Sequence, residues 1–271
     1  MGPAGDVAAV ILAGGKGSRF GVLGQVLPKC LLPLPGGETL LTRLIGQLEQ
    51  ADIRRVAVCC SPDGAPLVES FLEHRREAGG PTRGQLWAVP CEASGLGPLP
   101  ALAEVLSAVS APRYLLVLAD VVYAKGPFAV VTRPSSEETH EDGVLLCGAD
   151  QLAADGAGTG FVRCSGTRAL AISYRSVPPP RSTPGDLRWW SGGFCFRRRL
   201  VADLQEHVAA YRDAPLEDWI QGLLDRGARC ECIDTGPFVN VNAMPDYRFL
   251  LGTLGARGGM ESVEATSDRG R

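Results

Sequence analysis

Histidine, lysine and methionine are scarce in this 271-residue chain, with three of each. His74, His140 and His207 lie far apart in polar stretches, so a histidine-based catalytic or metal centre is not expected. Net positive charge is missing too: the formal charge is −3. A general nucleic-acid or anionic-membrane binder needs a basic surface, so no nucleic-acid or membrane partner is expected. No run approaches the roughly 18 apolar residues of a membrane span. The N-terminus lacks a signal-peptide pattern, because Gly14 to Gly17 cut the first apolar run short. A cytoplasmic protein is therefore expected. Nine cysteines occur without one CxxC pair. Cys59 and Cys60 are adjacent, and Cys230 and Cys232 form a CxC, neither a natural metal clip. They read as small apolar core residues in a reducing compartment. What the chain does have is 45% hydrophobic residues, enough for a real core.

That hydrophobicity is patterned. Val7–Leu12 is a short apolar run ending in glycine, a buried strand. Thr39–Gln50 has a helical period with Thr39 as N-cap. Arg55–Cys60, Gln85–Val89 and Tyr114–Leu118 read as strands, Pro66–Ala78 and Leu99–Ser110 as helices. This alternation indicates βαβ units and a Rossmann-like α/β fold, with a mixed, mostly parallel sheet flanked by helices. The second half is less regular. Gly143–Cys147 is a strand, Phe161–Cys164 and Ala169–Tyr174 an inserted hairpin, Ser176–Arg188 a proline-rich loop, and Trp190–Phe196 a strand. Leu200–Tyr211 and Leu216–Arg226 read as helices, Arg229–Asp234 as a strand and Asp246–Leu254 as a last helix. One domain over residues 1–254 is expected, followed by a disordered polar tail over 255–271.

The segment "LAGGKGSRF", from Leu12, places glycines directly after the first strand. Such a turn lets successive backbone N–H groups approach an anion. Two familiar phosphate loops do not fit. The dinucleotide pattern fails because Ser18, Arg19 and Phe20 follow Gly17, and a Walker A loop fails because Gly17 follows Lys16. A purely structural turn remains open at this point.

The wider pattern, LAGGxGxR followed about ten residues later by PKxLLPL, resembles the signature of the nucleotidyltransferase superfamily, which includes the sugar-1-phosphate nucleotidylyltransferases. The likeness continues along about Ala9 to Leu250. "EASGLGPLPALAEVL" resembles a base-recognition loop, "LLVLADVVY" a strand ending in a metal-binding Asp, "WWSGGFCFRRRL" an acceptor-side strand, and "VNVNAMPDYRFL" the C-terminal Asn-containing segment. The resemblance implies a nucleotide half over about 7–125 and an acceptor half over about 140–254. It implies nucleotide binding by Leu12, Ala13, Gly14, Gly15, Gly17, Glu92 and Gly97, with Arg19 on the leaving phosphates and Lys29 between the α-phosphate and the acceptor. Mg²⁺ is the implied cofactor, held by Asp120 and Asn242, with Asp234 as the rival to Asn242. Gly160, Ser191 and Gly192 are the implied acceptor contacts.

The implied reaction joins an NTP to a sugar 1-phosphate or similar small phosphate, releasing pyrophosphate. Catalysis of this kind is mostly positioning and charge neutralisation, which suits a chain without a histidine or cysteine centre. Glu92 stands where uridylyl relatives carry Gln. A carboxylate only accepts hydrogen bonds, so it favours the amino group of cytosine or guanine, and CTP or GTP. Pro98 and Ser191 also depart from the family pattern. Alternatives are a cytidylyl- or guanylyltransferase acting on a non-sugar phosphate (a polyol phosphate, phosphonate, phosphocholine or molybdopterin) and an inactive nucleotide-binding regulator. A homo-oligomer stays open. A glycosyltransferase would want a DxD motif after Tyr114–Leu118, and none follows.

Overall fold

The computed structural model describes residues 6–15, 17–77, 85–132, 141–148, 152, 159–175 and 186–255. Lys16, His140, residues 176–185 of the proline-rich segment and residues 256–271 of the tail lie outside them.

The first half is built as strand and helix in turn: β1 (Val7–Leu12), α1 (Val22–Val26), α2 (Leu40–Gln50), β2 (Arg55–Cys60), α3 (Ala65–Glu77), β3 (Gln85–Pro90), α4 (Pro98–Ala108) and β4 (Arg113–Leu118). β3, β2, β1 and β4 lie side by side and all parallel. The alternation of side chains across a strand sorts β1 into two cores. Ala8 and Val10 pack with Leu99, Leu102 and Val105 of α4, while Ala9 and Ile11 pack with Leu41, Leu44 and Leu48 of α2. A strand buried on both faces must read as one apolar run, which is why β1 was legible. Thr39 caps α2 by accepting from the Thr42 N–H at 3.1 Å, and Thr42 returns the bond to the Thr39 N–H at 2.7 Å.

The second half corrects the expected mostly parallel sheet. It comprises β5 (Val121–Tyr123), β6 (Gly143–Gly148), β7 (Thr159–Ser165), β8 (Arg168–Arg175), β9 (Asp186–Arg197), α5 (Leu200–Ala210), α6 (Leu216–Asp225), β10 (Cys230–Asp234), β11 (Phe238–Asn240) and α7 (Met244–Gly255). β9 pairs with β6, β6 with β10, β10 with β8, β8 with β7, and β7 returns to β9. That return closes five strands into a mixed, mostly antiparallel barrel, in which only the β6–β10 pairing is parallel. The four strands of the first half extend from it through an antiparallel β4–β9 contact. Nothing local in a hairpin sequence says which distant strand edge it will close upon.

β9 makes both halves possible. Its C-terminal part runs beside β4, and its N-terminal part runs beside β7. Between them the register with β6 jumps from Leu146–Gly193 to Cys147–Trp190. Ser191 and Gly192 are left over as a bulge, with Gly192 at φ 77°. A bulge bends and twists its strand, and here it turns β9 from the parallel sheet into the barrel. The strand is also longer than expected: 186–188, read as the end of the proline-rich loop, are paired with β7.

Candidate active site

A cleft of about 660 Å³ opens beyond the C-terminal ends of β1 and β4, between the parallel sheet and the barrel. Parallel strands alternating with helices, as in the first half, characteristically bind ligands beyond these strand ends. One wall carries Leu12, Gly14, Gly15, Ser94 and Gly97, the opposite wall Gly160, Trp190, Gly192 and Glu217. Asp120, Asn240 and Asn242 also line it. Leu12, Gly14, Gly15, Gly97, Asp120, Gly160, Gly192 and Asn242, all expected site residues, therefore share one cavity. Ala13, Gly17, Arg19, Lys29, Glu92, Ser191 and Asp234 are not on its lining, although Lys29 reaches it through a partner.

The glycine-rich turn is set by contacts that leave no room for side chains. The Ala13 N–H donates to the Cys59 carbonyl at 2.7 Å, tying the turn to the end of β2. A Cβ on Gly14 would stand 2.6 Å from the Ser94 Cβ, so the turn lies directly against the one-turn helix Glu92–Gly95. Gly17 adopts φ 61°, and its carbonyl would stand 2.0 Å from a Cβ on Gly24. This backbone-on-backbone contact folds the chain back through Phe20 toward Pro28. Arg19 is exposed at the turn.

Lys29 follows the rigid Pro28 and begins a short helical turn, Lys29–Leu31. Its Nζ lies 2.5 Å from Asp120 Oδ2 and 5.8 Å from the centre of the Phe20 ring. Phe20 is buried and meets the edge of Tyr247, whose hydroxyl donates to the Pro33 carbonyl. The lysine is thus fixed by a carboxylate and an aromatic face that is itself anchored by α7.

Asp120 sits in the two-residue step between β4 and β5. β5 pairs with β11 so that Val121 faces Asn240, and the Val241 N–H donates to the Asp120 carbonyl at 2.8 Å. The sheet pairing therefore brings Asp120 beside the segment carrying Asn240 and Asn242. The Asn242 and Ala243 N–H groups are both capped by Asp246 Oδ2, at 2.9 and 2.8 Å. Asp234 is exposed, and its Oδ1 accepts from the Gly236 N–H two residues on. Asn240 was not anticipated. It is 9% exposed, lines the cleft, and its Oδ1 is buried with no hydrogen-bond partner among the described residues. Its only sequence signal was its place two residues before Asn242. Among the described residues no group of three or more His, Cys, Asp and Glu side chains converges. The oxygens at hand are one carboxylate and amide carbonyls, one of them unsatisfied, which is the donor chemistry Mg²⁺ accepts.

The remaining expected residues are placed plainly. Glu92 is exposed, and its loop is held instead by Glu104, which accepts from the Glu92 and Ala93 N–H groups at 3.2 and 2.8 Å. Ser191 is buried; its hydroxyl donates to the Leu146 carbonyl at 2.8 Å and lies 3.2 Å from the Tyr123 hydroxyl. It serves the bulge, and Gly192 takes the cleft position. Glu217, unanticipated, is 7% exposed on the cleft wall. Burial, with a smaller contribution from Asp218, pushes its carboxyl up to about 7. All nine cysteines are free and buried. No helix of the described residues is long and apolar enough to cross a membrane.

Comparison with known proteins identifies the family. Residues 9–230 match the model of the MobA-like NTP transferase domain. A curated bifunctional IPC transferase and DIPP synthase from Aquifex aeolicus (strain VF5) is 41% identical over 71 residues, 26% of this chain and 16% of that protein's length. The inositol-1-phosphate CTP transferase of T. maritima superposes with a TM-score of 0.70 at 17% identity, covering 94% of this chain and 98% of that one. The CTP:phosphocholine cytidylyltransferase of Streptococcus pneumoniae gives 0.68 at 16% identity, covering 92% and 99%. A Bacillus anthracis structure named as a glucose-1-phosphate thymidylyltransferase gives 0.72 at 20%, covering 94% and 98%. At these identities the superpositions speak for the fold. The match over residues 9–230 speaks for the family: the chain belongs to the MobA-like NTP transferases and is a nucleotidyltransferase.

Proposed function

We propose that the protein is a Mg²⁺-dependent cytidylyltransferase that activates a small non-sugar or polyol phosphate. An acceptor phosphate oxygen attacks the α-phosphorus of the NTP, the bond to the β-phosphate oxygen breaks, and pyrophosphate leaves. The carrying observation is the Lys29 ammonium, 2.5 Å from Asp120, which lines the same cleft as Asn240, whose oxygen has no partner among the described residues. One cation and a set of hard oxygen donors at the same cleft support a reaction in which two polyanions must meet.

In this reading the backbone of Leu12 to Gly15 cradles the nucleotide, with Gly17 shaping the turn and Gly97 opening α4 opposite. Lys29 passes from Asp120 to the α-phosphate and acceptor. Arg19, exposed at the turn, swings onto the leaving pyrophosphate. Asp120, Asn242 and Asn240 would hold Mg²⁺, whose bound charge neutralises phosphate oxygens. Asp234 is disfavoured because it lies off the cleft and is engaged in its own turn.

Sequence reasoning led with a sugar 1-phosphate. Support now leans to the other acceptor class, because two proteins that share the fold over nearly their full length are named for CTP with inositol 1-phosphate or phosphocholine. The base preference no longer draws on Glu92, which lies outside the cleft. The test is pyrophosphate release by the full chain with Mg²⁺, using five NTPs against sugar 1-phosphates, inositol 1-phosphate, phosphocholine and phosphoethanolamine. CTP with a non-sugar acceptor is expected to dominate. Turnover confined to sugar 1-phosphates would replace the acceptor class, and silence throughout would reject the reading.

A further inference from the structure

The acceptor end of the cleft has an unusual chemical makeup. Its lining includes the carboxylates of Asp213 and Glu217 and the rings of Tyr174 and Trp190, and no lysine, arginine or histidine among the described residues. The polar groups that could have donated hydrogen bonds are already engaged. The Trp190 indole N–H donates to the Gly193 carbonyl at 2.9 Å, so this residue offers a ligand only its ring. The Ser191 hydroxyl donates to the Leu146 carbonyl. Apart from the Tyr174 hydroxyl, the side chains left facing a ligand here accept hydrogen bonds or present π surface.

Gly160 makes room for this arrangement. A Cβ there would stand 3.0 Å from both Glu217 Oε1 and the Trp190 Cε3 atom. The carboxylate and the indole therefore close over the same backbone position. Tyr174 pairs with Gly160 across β7 and β8 and is 54% exposed, a large aromatic side chain left open at the mouth. Glu217 has no cationic partner among the ion pairs of the described residues, although it is 7% exposed. A buried carboxylate without a counter-charge is costly, and a bound cation would relieve that cost.

A polyol hydroxyl both donates and accepts, and a wall of acceptors satisfies only half of it. An ammonium group asks for no hydrogen-bond donors in return, and it is attracted to carboxylates and aromatic rings alike. We propose that Glu217, Asp213, Trp190 and Tyr174 form a site for the cationic end of the acceptor, which is an alkylammonium phosphomonoester: a phosphorylated amino alcohol with a primary or quaternary nitrogen. This rests on the nucleotidyltransfer reading, in that the phosphate of the same molecule points toward Lys29. The two acids on this wall disfavour anionic acceptors such as carboxylated phosphonates.

The test separates this site from the reaction. Calorimetric titration of the full chain compares phosphocholine with 3,3-dimethylbutyl phosphate, its uncharged carbon isostere. Phosphocholine is expected to bind about ten-fold or more tightly. Glu217→Gln is expected to erase most of that preference by weakening phosphocholine far more than the neutral isostere. Tyr174→Ala, at an exposed position, gives a second reading independent of any folding defect in the Gln variant, and should weaken phosphocholine more than the neutral isostere. Equal or tighter binding of the neutral isostere by the unaltered chain overturns the proposal. Phosphoethanolamine in the same titration distinguishes a primary from a quaternary nitrogen. Selective phosphocholine binding without pyrophosphate release from any NTP would keep this site and reject the transfer reading. Turnover of inositol 1-phosphate, with no preference for the charged isostere, would do the reverse.

Discussion

Lys29 and Asp120 are 91 residues apart in the chain, and their side chains meet at 2.5 Å. Each was legible because it sits in a contiguous motif: a proline fixes the approach of Lys29, and a buried apolar strand ends just before Asp120. Asn240 and Glu217 were not legible in that way. What sets them apart arises from burial, which a string of residues does not display: an amide oxygen without a partner among the described residues in one case, a buried carboxyl in the other. Asp120→Asn is expected to lower kcat about 100- to 1,000-fold, with the melting temperature little changed, as read by pyrophosphate release beside a thermal scan. An active Asn variant would remove Asp120 from the site. Glu217 makes a different prediction. Its carboxyl is raised from 4.5 to about 7 in the folded protein, so the neutral form is the one the fold favours. The stability tied to that proton is fully present below pH 4.5 and is lost as pH rises through about 7. The separation of the two values sets an upper bound of about 3 kcal/mol. Urea midpoints of the wild type and Glu217→Gln should therefore diverge, with the Gln variant gaining as pH rises from 5 to 8. A difference that stays constant across that range would contradict the assignment.

At the scale of elements, legibility followed burial and length. β1 and β2 begin and end where the apolar runs do, because both faces of each are covered. α2 was marked by its threonine cap and one buried face. The pieces that escaped were α1, β5 and β11, of five, three and three residues. Such segments carry too few side chains for a period to register. β5 and β11 nevertheless align Asp120 with the two asparagines, so part of the site hangs on the least visible elements. β9 was visible, but its bulge was not. Gly192 holds φ 77°, and a Cβ there would stand 2.5 Å from Leu118 Cδ1. Gly192→Ala is expected to cost about 1–3 kcal/mol and to raise KM for the acceptor, since Gly192 and Leu118 both line the cleft. Denaturant unfolding together with acceptor titration at saturating NTP would check both effects. An alanine variant with wild-type stability and KM would mean that the bulge tolerates a side chain.

The whole molecule was the least readable scale, because closure of the barrel depends on β7 meeting β9 across a long connection. The same closure has a thermodynamic consequence. One hydrophobic cluster runs from Ala8 and Val10 of β1, through α4, to Leu145 of β6, Val162 of β7, Phe194 of β9 and Trp219 of α6. Trp219 is fully buried, and its ring meets Phe194 and Phe196 edge-on at 5.8 and 5.4 Å. The parallel strands and the barrel therefore share packing that neither completes alone, and the cleft lies along that shared boundary. The two sides are expected to unfold together. Trp189, Trp190 and Trp219 make tryptophan fluorescence report mainly the barrel, whereas far-UV circular dichroism reports the helices of both sides. The two urea transitions should superimpose, as for a two-state chain. Trp219→Ala should shift both by the same amount, about 3–5 kcal/mol for a large buried aromatic. Separated midpoints, or a shift confined to fluorescence, would mean that the barrel and the parallel sheet fold as independent units and that the cleft between them is free to open.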